Sequence, residues 1–130
     1  MNQVMRDFLM LLNREDIRYL TLSEKIVQAV FRGENVESIL VYLTFEAEGR
    51  DVALRIPQIL RVPPAQREKM YRTCSEFNRN FRWLRFYVDE QNELCASTDS
   101  MLLETTGARD CYEIMMRAVC LVDDIYPRLQ

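Results

Sequence analysis

Histidine is absent from this 130-residue chain, and glycine and proline are scarce, with three and four copies. Because histidine is the usual general base near neutral pH, its absence argues against most acid–base and nucleophilic mechanisms. A glycine-rich phosphate loop and a G-x-S-x-G motif are missing too. We therefore expect a protein that is not an enzyme and that needs no cofactor. So few glycines and prolines also leave no candidate linker, and we expect a single domain over residues 1–130.

Closely spaced cysteines are also missing. The chain contains no C-x-x-C pair, so a zinc site would need four distant thiolates to converge without help from histidine. Two of them, Cys111 and Cys120, are nine positions apart on one predicted helix and so lie on opposite faces. We expect no metal site. We expect instead that all four cysteines are reduced and buried as small apolar side chains, namely Cys74, Cys95, Cys111 and Cys120.

The chain also lacks a strong charge excess and any long apolar run. Its net charge of -3 gives no general attraction to nucleic acid. No apolar run approaches the roughly 18 residues that a membrane helix needs. The N-terminal segment has only the short core FLMLL and no small-residue cleavage site, which argues against a signal peptide. We predict a cytoplasmic protein without a membrane contact.

Helical periodicity is the clearest pattern that the sequence does contain. Apolar residues at helical spacing predict helices over residues 3–13 and 108–126, the second ending at Pro127. A third helix is predicted after Pro63 and Pro64, because proline suits the first turn of a helix. Its apolar stripe consists of Met70, Cys74, Phe77 and Phe81.

Alternation of apolar and polar residues predicts strands over residues 17–22 and 25–31 and then two β-hairpins. The first hairpin joins VESILVYLTFE to RDVALRI through AEGR, where Gly49 can take a positive φ. The second joins WLRFYV to LCASTDSMLLE through DEQNE, with a bulge expected near Asp99. The inward positions form one aliphatic face, which consists of Ile39, Val41, Leu43, Phe45, Val52, Leu54, Ile56, Leu84, Phe86 and Val88.

These elements predict an α+β fold in which helices pack on one face of a mostly antiparallel sheet. The expected order is one helix, three or four strands, a second helix, two strands and a final helix. No internal repeat and no domain boundary interrupts this order.

The acidic run DEQNE is best explained as a hairpin turn. Its oxygen-bearing residues alternate as calcium ligands would, but no glycine follows to allow the sharp bend of an EF-hand loop. We expect Asp89 and Glu90 both to be in water, away from the buried setting that a catalytic acid needs. Polar residues at a hairpin tip bond their own backbone. We therefore expect alanine to be tolerated with little effect on folding at Asp89, Gln91 and Glu93.

Several segments carry a family resemblance. The stretch RVPPAQREKMYRTCSEFNRNFRWLRFYVDEQNEL, the MLLE that follows it and the closing IYPRL resemble the YbjN family of sensory-transduction regulators, over about Val36 to Leu129. The most diagnostic elements are FNRNF and the terminal YPRL, whereas LCASTDSMLLE departs from the family pattern in its small polar residues. The resemblance implies the fold of type III secretion chaperones. It also implies a non-enzymatic protein that binds other proteins as a dimer.

Strand alternation directs an aromatic and basic set of side chains away from the helices. A solvated sheet face usually carries threonine, lysine and glutamate, whereas tryptophan, tyrosine and arginine anchor protein interfaces. We therefore predict that this face binds a protein or peptide partner, with a homodimer as the expected assembly. The alternative is that another segment of the same chain covers it. The predicted partner-binding residues are Leu40, Tyr42, Arg55, Trp83, Arg85 and Tyr87.

A second hypothesis for function rests on an arginine-rich region at residues 61–85. Here the chain would be a small regulator that binds an anionic ligand or nucleic acid. Acids and arginines also lie three and four positions apart in this region, at Glu68, Arg72, Glu76 and Arg79. A salt-bridged solvent face explains the same spacing. Because the chain is acidic and has no nucleic-acid motif, nucleic acid is the less favoured partner.

Overall fold

The computed structural model of the protein describes residues 1–46, 50–101 and 106–129. Helices and strands in this part of the chain follow the predicted order, which confirms the α+β class. In chain order they are α1 (Gln3–Arg14), β1 (Tyr19–Thr21), β2 (Ile26–Phe31), β3 (Ile39–Phe45), β4 (Asp51–Arg61), α2 (Arg67–Asn80), β5 (Arg85–Val88), β6 (Glu93–Met101) and α3 (Gly107–Ile125). Short 3-10 segments precede α2 and follow α3, at Pro64–Gln66 and Tyr126–Leu129.

The strands belong to a six-stranded sheet in the order β1-β2-β3-β4-β6-β5. The pairs β1–β2, β2–β3 and β5–β6 are antiparallel. The chain divides into two compact units, of which unit 1 contains Met1–Leu54 and Asp99–Gln130 and unit 2 contains Arg55–Thr98. β4 and β6 each contribute residues to both units. This division does not test the expected single domain, which stays a prediction.

The core of unit 1 follows the alternation read from the sequence. Along β3 the odd-numbered residues 39–45 are buried and the residues between them are half-buried. β2 pairs with β3 so that Ala29 lies opposite Val41, and both side chains are fully buried. α1 packs on this buried face, where the ring centroids of Phe8 and Phe45 are 5.6 Å apart. Asn2 begins α1 by accepting a hydrogen bond from the Met5 N–H at 2.8 Å, as a helix cap does.

α3 completes unit 1 by packing against α1. Its buried side includes Cys111, Met115 and Val122, so one apolar side of this helix faces the core. The α-helix ends at Ile125 and the chain continues as a 3-10 turn through Pro127. Since proline has no N–H to continue the α-helical pattern, this ending confirms the predicted stop.

One prediction about the cysteines is wrong. Cys74, Cys95 and Cys111 are buried as expected, but Cys120 is exposed. The nine-residue spacing on α3 already placed Cys111 and Cys120 on opposite faces, and only one of those faces packs against the rest of unit 1. Cys120 is therefore a surface thiol.

Unit 2 packs α2 against β5. The predicted stripe of α2 is buried at Met70, Cys74 and Phe77, and the rings of Phe77 and Phe86 meet edge to face with centroids 5.4 Å apart. The proline pair lies before the helix as predicted, since the 3-10 segment beginning at Pro64 leads directly into α2. Burial of these apolar side chains anchors the helix on the sheet.

Two strand boundaries differ from the prediction. β4 continues past Ile56 through Pro57 to Arg61, and the positive φ of Gln58 (55°) marks the irregular point at which proline is tolerated in a strand. Trp83 and Leu84 lie in the turn before β5 rather than in the strand itself. The inward set is nevertheless buried, except for Val88, which is half-buried.

The second hairpin is regular over the residues that pair. Its register sets Arg85 opposite Ser97 and Val88 opposite Leu94, and β6 continues through Asp99. The predicted turn at Gly49 and the LLE that ends the last predicted strand lie outside the described residues. Within the described part of the chain, no helix is both long and apolar enough to cross a bilayer.

Candidate protein-binding surface

The six predicted partner-binding residues are divided between the two units. Leu40 and Tyr42 belong to unit 1, where they lie on β3 opposite Val30 and Gln28 of β2. Both are half-buried, as are their two cross-strand partners. This part of the surface is therefore a mixed patch of leucine, valine, tyrosine and glutamine on the side of the strands away from the buried core.

Unit 2 brings Arg55 and Tyr87 together over Cys95. The strand register sets Tyr87 directly opposite Cys95, so their side chains share one face of the β5–β6 pair. Arg55 interacts electrostatically with both side chains and lies 3.8 Å from a carboxylate oxygen of Asp89. Arg55 and Tyr87 are exposed, whereas Cys95 is completely covered. A guanidinium and a phenol thus form the outer layer over a buried thiol.

Arg55 and Asp89 are the charged groups at this cluster, and the Cys95 thiol beside them is neutral. Cys95 raises the pKa of the Arg55 guanidinium, burial lowers it, and Tyr87 raises it again, with a net upward direction. Burial raises the pKa of the Cys95 thiol and outweighs the opposing effects of the Gln58 backbone and then of Arg55, so the sulfur is kept protonated. Cys95 is consequently a covered neutral thiol, and the charge that unit 2 presents to solvent here is that of Arg55.

Asp89 fixes the turn beside this cluster. Its carboxylate oxygen accepts hydrogen bonds from the Gln91 N–H at 2.9 Å and the Glu93 N–H at 3.0 Å, and Asn92 takes a positive φ of 61° in the bend. The Glu93 N–H, and then the weaker bond from the Cys95 side chain, hold the pKa of Asp89 below its ordinary value despite an opposing effect of desolvation. The DEQNE segment is therefore a turn, as predicted, but Asp89 has a structural role that the tolerance expected for alanine did not include.

Arg85 and Trp83 complete the predicted set in unit 2. Arg85 is exposed on β5, two positions from Tyr87 and so on the same face of the strand. Trp83 is half-buried in the turn that precedes β5, so strand alternation does not apply to it. The aromatic anchor of the strand face is thus Tyr87 rather than Trp83.

The arginine-rich region does not form the predicted ion-pair ladder. No ion pair joins Glu68, Arg72, Glu76 and Arg79, all of which the structure describes. Other basic residues there hold the fold together instead. Arg61 pairs with Glu93 at 3.1 Å. Arg67 bonds the side chains of Asn92 and Tyr71 and lies over the Tyr71 ring, 5.5 Å from its centroid.

Sequence reasoning missed two side chains that tie distant segments together. Asn78 of α2 bonds both backbone groups of Phe86. Asp123 of α3 accepts hydrogen bonds from three successive backbone N–H groups in the β2–β3 connection, at Glu34, Asn35 and Val36. The only sequence signal for the Asp123 contact was an acidic residue at an apolar position of the last helix. The Asn78 contact had no sequence signal beyond the place of Asn78 in the FNRNF motif.

Comparison with known proteins identifies the family. The family model described as "Putative bacterial sensory transduction regulator", YbjN, matches residues 10–130. The chain belongs to the YbjN family. The match begins earlier than the span from Val36 that the sequence motifs indicated, and so includes the C-terminal end of α1 and the first two strands. No curated protein matches the chain significantly.

A solved structure has the same fold as this YbjN-family chain. It comes from the crystal structure of the ExsC–ExsE complex, with a TM-score of 0.66 and 18% sequence identity. The match covers 98% of this chain and 96% of the other. At this identity the likeness concerns the fold alone, and it confirms the predicted type III secretion chaperone-like fold.

Proposed function

We propose that this YbjN-family chain is a non-enzymatic protein-binding module, a chaperone-like or regulatory adaptor that works in the cytoplasm as a homodimer. The observation that carries the proposal is the exposed pair of Arg55 and Tyr87 above the covered Cys95. The partner is a protein or peptide. Its proposed contacts are the six residues of the predicted surface, Leu40, Tyr42, Arg55, Trp83, Arg85 and Tyr87.

The physical case rests on preorganisation. Tyrosine and arginine are enriched where interfaces concentrate their binding energy, because each combines a large contact area with a polar group. Arg55 is already positioned between Asp89 and Tyr87, so it loses less side-chain freedom when a partner binds than an unrestrained arginine does. A partner carbonyl or carboxylate can accept its remaining N–H groups.

The comparisons support a binding role in a general way. The family is one of regulators, and the structural neighbour comes from a complex of ExsC with ExsE. The described residues contain no group of three or more potential metal-ligating side chains. Together with the lack of histidine, these observations favour recognition over chemistry.

The alternative function, binding of an anion through the arginine-rich region, has one observation in its favour. Arg72 and Arg79 line an open depression on α2 with Ser75 and Asn80. Glu76 lines the same depression, however, and its carboxylate opposes a bound anion. We therefore favour the polypeptide partner.

Photo-crosslinking tests the proposal directly. A photoreactive phenylalanine analogue is placed at Tyr87 and, as the matched control, at Tyr71, which is similarly exposed at 45% against 36%. Crosslinking in cells followed by mass spectrometry identifies the polypeptide captured at position 87. Its affinity for the purified protein is then measured, and we expect Tyr87→Ser and Arg55→Ala each to weaken binding by about tenfold, whereas Tyr71→Ser has little effect.

Salt separates this proposal from the anion hypothesis. If the partner binds mainly through Tyr87, its affinity falls little when salt is raised to about 1 M. If an anion binds through several arginine–phosphate contacts, its affinity falls steeply. Folded Tyr87→Ser and Arg55→Ala variants that bind the captured partner as tightly as the original protein would refute the proposed surface. A steep salt dependence abolished by Arg72→Ala would favour the anion site instead.

A further inference from the structure

Positive charge is concentrated in unit 2. This unit carries eight lysines and arginines and five aspartates and glutamates, a net charge of +3, although the whole chain has a net charge of -3. The rest of the chain carries nine basic and fifteen acidic side chains, a net charge of -6. An excess of one sign on part of a chain attracts partners of the opposite sign to that part. The charge of unit 2 therefore favours an acidic partner.

The outer face of β5 presents an arginine beside the exposed tyrosine. Arg85 and Tyr87 are two positions apart, so both point away from α2, which packs on Phe86 between them. Their positions are about 7 Å apart along the strand. The residues opposite them on β6 are Ser97 and Cys95. Because these two side chains are small, the arginine and the tyrosine are accessible from the β6 side as well.

Two guanidinium groups lie near the Tyr87 ring, and they differ in what they already contact. Arg55 on β4 interacts with both Tyr87 and Cys95 and lies 3.8 Å from a carboxylate oxygen of Asp89. Arg85 is exposed and, within the residues that the structure describes, has neither an ion pair nor a side-chain hydrogen bond. All of the N–H donors of the Arg85 guanidinium are therefore available to a partner.

We propose that the partner segment bound at Tyr87 is acidic and sets one carboxylate against Arg85 and a second against Arg55. This inference rests on the proposed function and gives the chemical class of its partner. The planar N–H groups of a guanidinium match the two oxygens of a carboxylate, so each arginine can bind one aspartate or glutamate through two hydrogen bonds. The Tyr87 ring supplies most of the contact area, and the two arginines select the sign of the partner's charge.

The acidic side chains on the same side of unit 2 favour a polypeptide over a nucleic-acid strand. Asp89 lies 3.8 Å from Arg55, and Glu93, two positions from Cys95 on β6, pairs with Arg61 at 3.1 Å. A phosphate backbone has a charge at every nucleotide and would meet these acids as well as the arginines. A polypeptide can place a carboxylate at each arginine and neutral side chains beside the acids.

Selection from a random peptide library tests the class of the partner. Phage-displayed random peptides of about twelve residues are selected on the purified protein and, in parallel, on its Tyr87→Ser and Arg85→Glu variants. We expect the original protein to enrich aspartate and glutamate about twofold over the unselected library, and Tyr87→Ser to retain few peptides. Arg85→Glu should retain peptides with fewer acidic and more basic residues, because its own charge at this position is reversed.

The affinity of one selected acidic peptide tests the role of Arg85. The peptide is synthesised with a fluorophore, and its dissociation constant is measured by fluorescence anisotropy. We expect Arg85→Glu to weaken binding by about tenfold, and lysine at one acidic position of the peptide to restore it. Arg79→Glu is the matched control, because it makes the same change of charge at an exposed position of α2. It should change the affinity by less than about twofold, and the urea midpoint of each variant checks that it is folded.

The outcomes separate this inference from the proposed function. Selected peptides that need Tyr87 but show no excess of acids would overturn the inference and leave the protein-binding surface in place. An original protein that retains no more peptides than Tyr87→Ser would overturn both. Equal weakening by Arg79→Glu and Arg85→Glu would assign the effect to the net charge of unit 2 and overturn the inference alone. A single-stranded oligonucleotide that binds as tightly as the peptide, and is lost in Arg85→Glu, would do the same.

Discussion

The side-chain amide of Asn78 forms a two-way hydrogen-bonded pair with the backbone of Phe86. Its Nδ2 donates to the Phe86 carbonyl at 3.1 Å, and the Phe86 N–H donates to its Oδ1 at 2.6 Å. A carboxamide has the donor and acceptor of a peptide group, so Asn78 takes the place of a neighbouring strand along β5. This contact joins α2 to the strand and closes the edge at Phe86.

Replacement of Asn78 by alanine should destabilise the protein. The change removes both partners of the Phe86 backbone groups, which are part-buried, and we expect the free energy of unfolding to fall by roughly 2 kcal/mol. Urea denaturation measures this loss. Asn80→Ala is the matched control, because Asn80 lies two positions along the same helix and is exposed. An Asn78→Ala variant as stable as Asn80→Ala would contradict the assigned role.

The main strands and helices were predictable because their signal is local. Alternation along β3 reports which side chains face the core, and the buried residues 39, 41, 43 and 45 follow from it directly. The stripe of α2 at Met70, Cys74 and Phe77 follows from helical spacing in the same way. Both patterns arise within a single helix or strand, because each needs only one side of that helix or strand to be buried.

The exceptions arise where a turn or a distant partner decides the structure. Trp83 continues the alternation of RFYV in the sequence, but the chain reverses there after α2, with the Leu84 N–H bonded to the Phe81 carbonyl. Asp123 meets residues 34–36, which are almost ninety positions away. Arg55, Tyr87 and Cys95 meet because three strands are neighbours, a pairing that periodicity alone does not specify.

Asp123 supplies the second stability prediction. Its carboxylate accepts N–H groups of Glu34, Asn35 and Val36 at 2.8–2.9 Å, and Asn35 Nδ2 donates to its carbonyl at 2.9 Å. An asparagine side chain has one oxygen where the carboxylate has two. Its NH₂ group would therefore face a backbone N–H donor that a carboxylate oxygen of Asp123 now accepts. We expect Asp123→Asn to reduce the free energy of unfolding by about 2 kcal/mol. The exposed neighbour Asp124→Asn is the control, with a change within roughly 0.5 kcal/mol.

The same residue predicts a pH dependence. Burial favours the neutral acid, but the N–H groups of Asn35, Glu34 and Val36 outweigh it and lower the pKa of Asp123 below its ordinary value of 3.8. The stabilisation by its carboxylate is therefore fully present above about pH 5 and is lost as the pH falls through the folded-state pKa. Urea midpoints from pH 7 to pH 3 should fall less steeply for Asp123→Asn than for the original protein. Parallel curves for the two proteins would contradict this prediction.

Gly33 should tolerate no side chain while Asp123 is in place. A Cβ at this position would lie 2.2 Å from Oδ1 and 2.5 Å from Cγ of Asp123, whose carboxylate is held by three backbone bonds. We expect Gly33→Ala to destabilise the protein by about 2 kcal/mol. A double-mutant cycle with Asp123→Ala checks the cause, because Gly33→Ala should cost much less once the carboxylate is removed. Additive effects of the two changes would show that the clash is not the reason.

Thiol labelling distinguishes the one surface cysteine from the three buried ones. Cys120 is exposed, whereas Cys74, Cys95 and Cys111 are buried. Burial, and then the neighbouring Cys95, raises the pKa of Cys74 to about 11, so at pH 8 this sulfur is a covered thiol rather than a reactive thiolate. We expect a mild excess of a thiol reagent to modify one cysteine rapidly in the folded protein and all four in urea, with Cys120→Ser removing the rapid reaction. Rapid modification of Cys95 in the folded Cys120→Ser variant would contradict the position of Arg55 and Tyr87 over this thiol. A reagent can reach the Cys95 sulfur only if those two side chains leave it open.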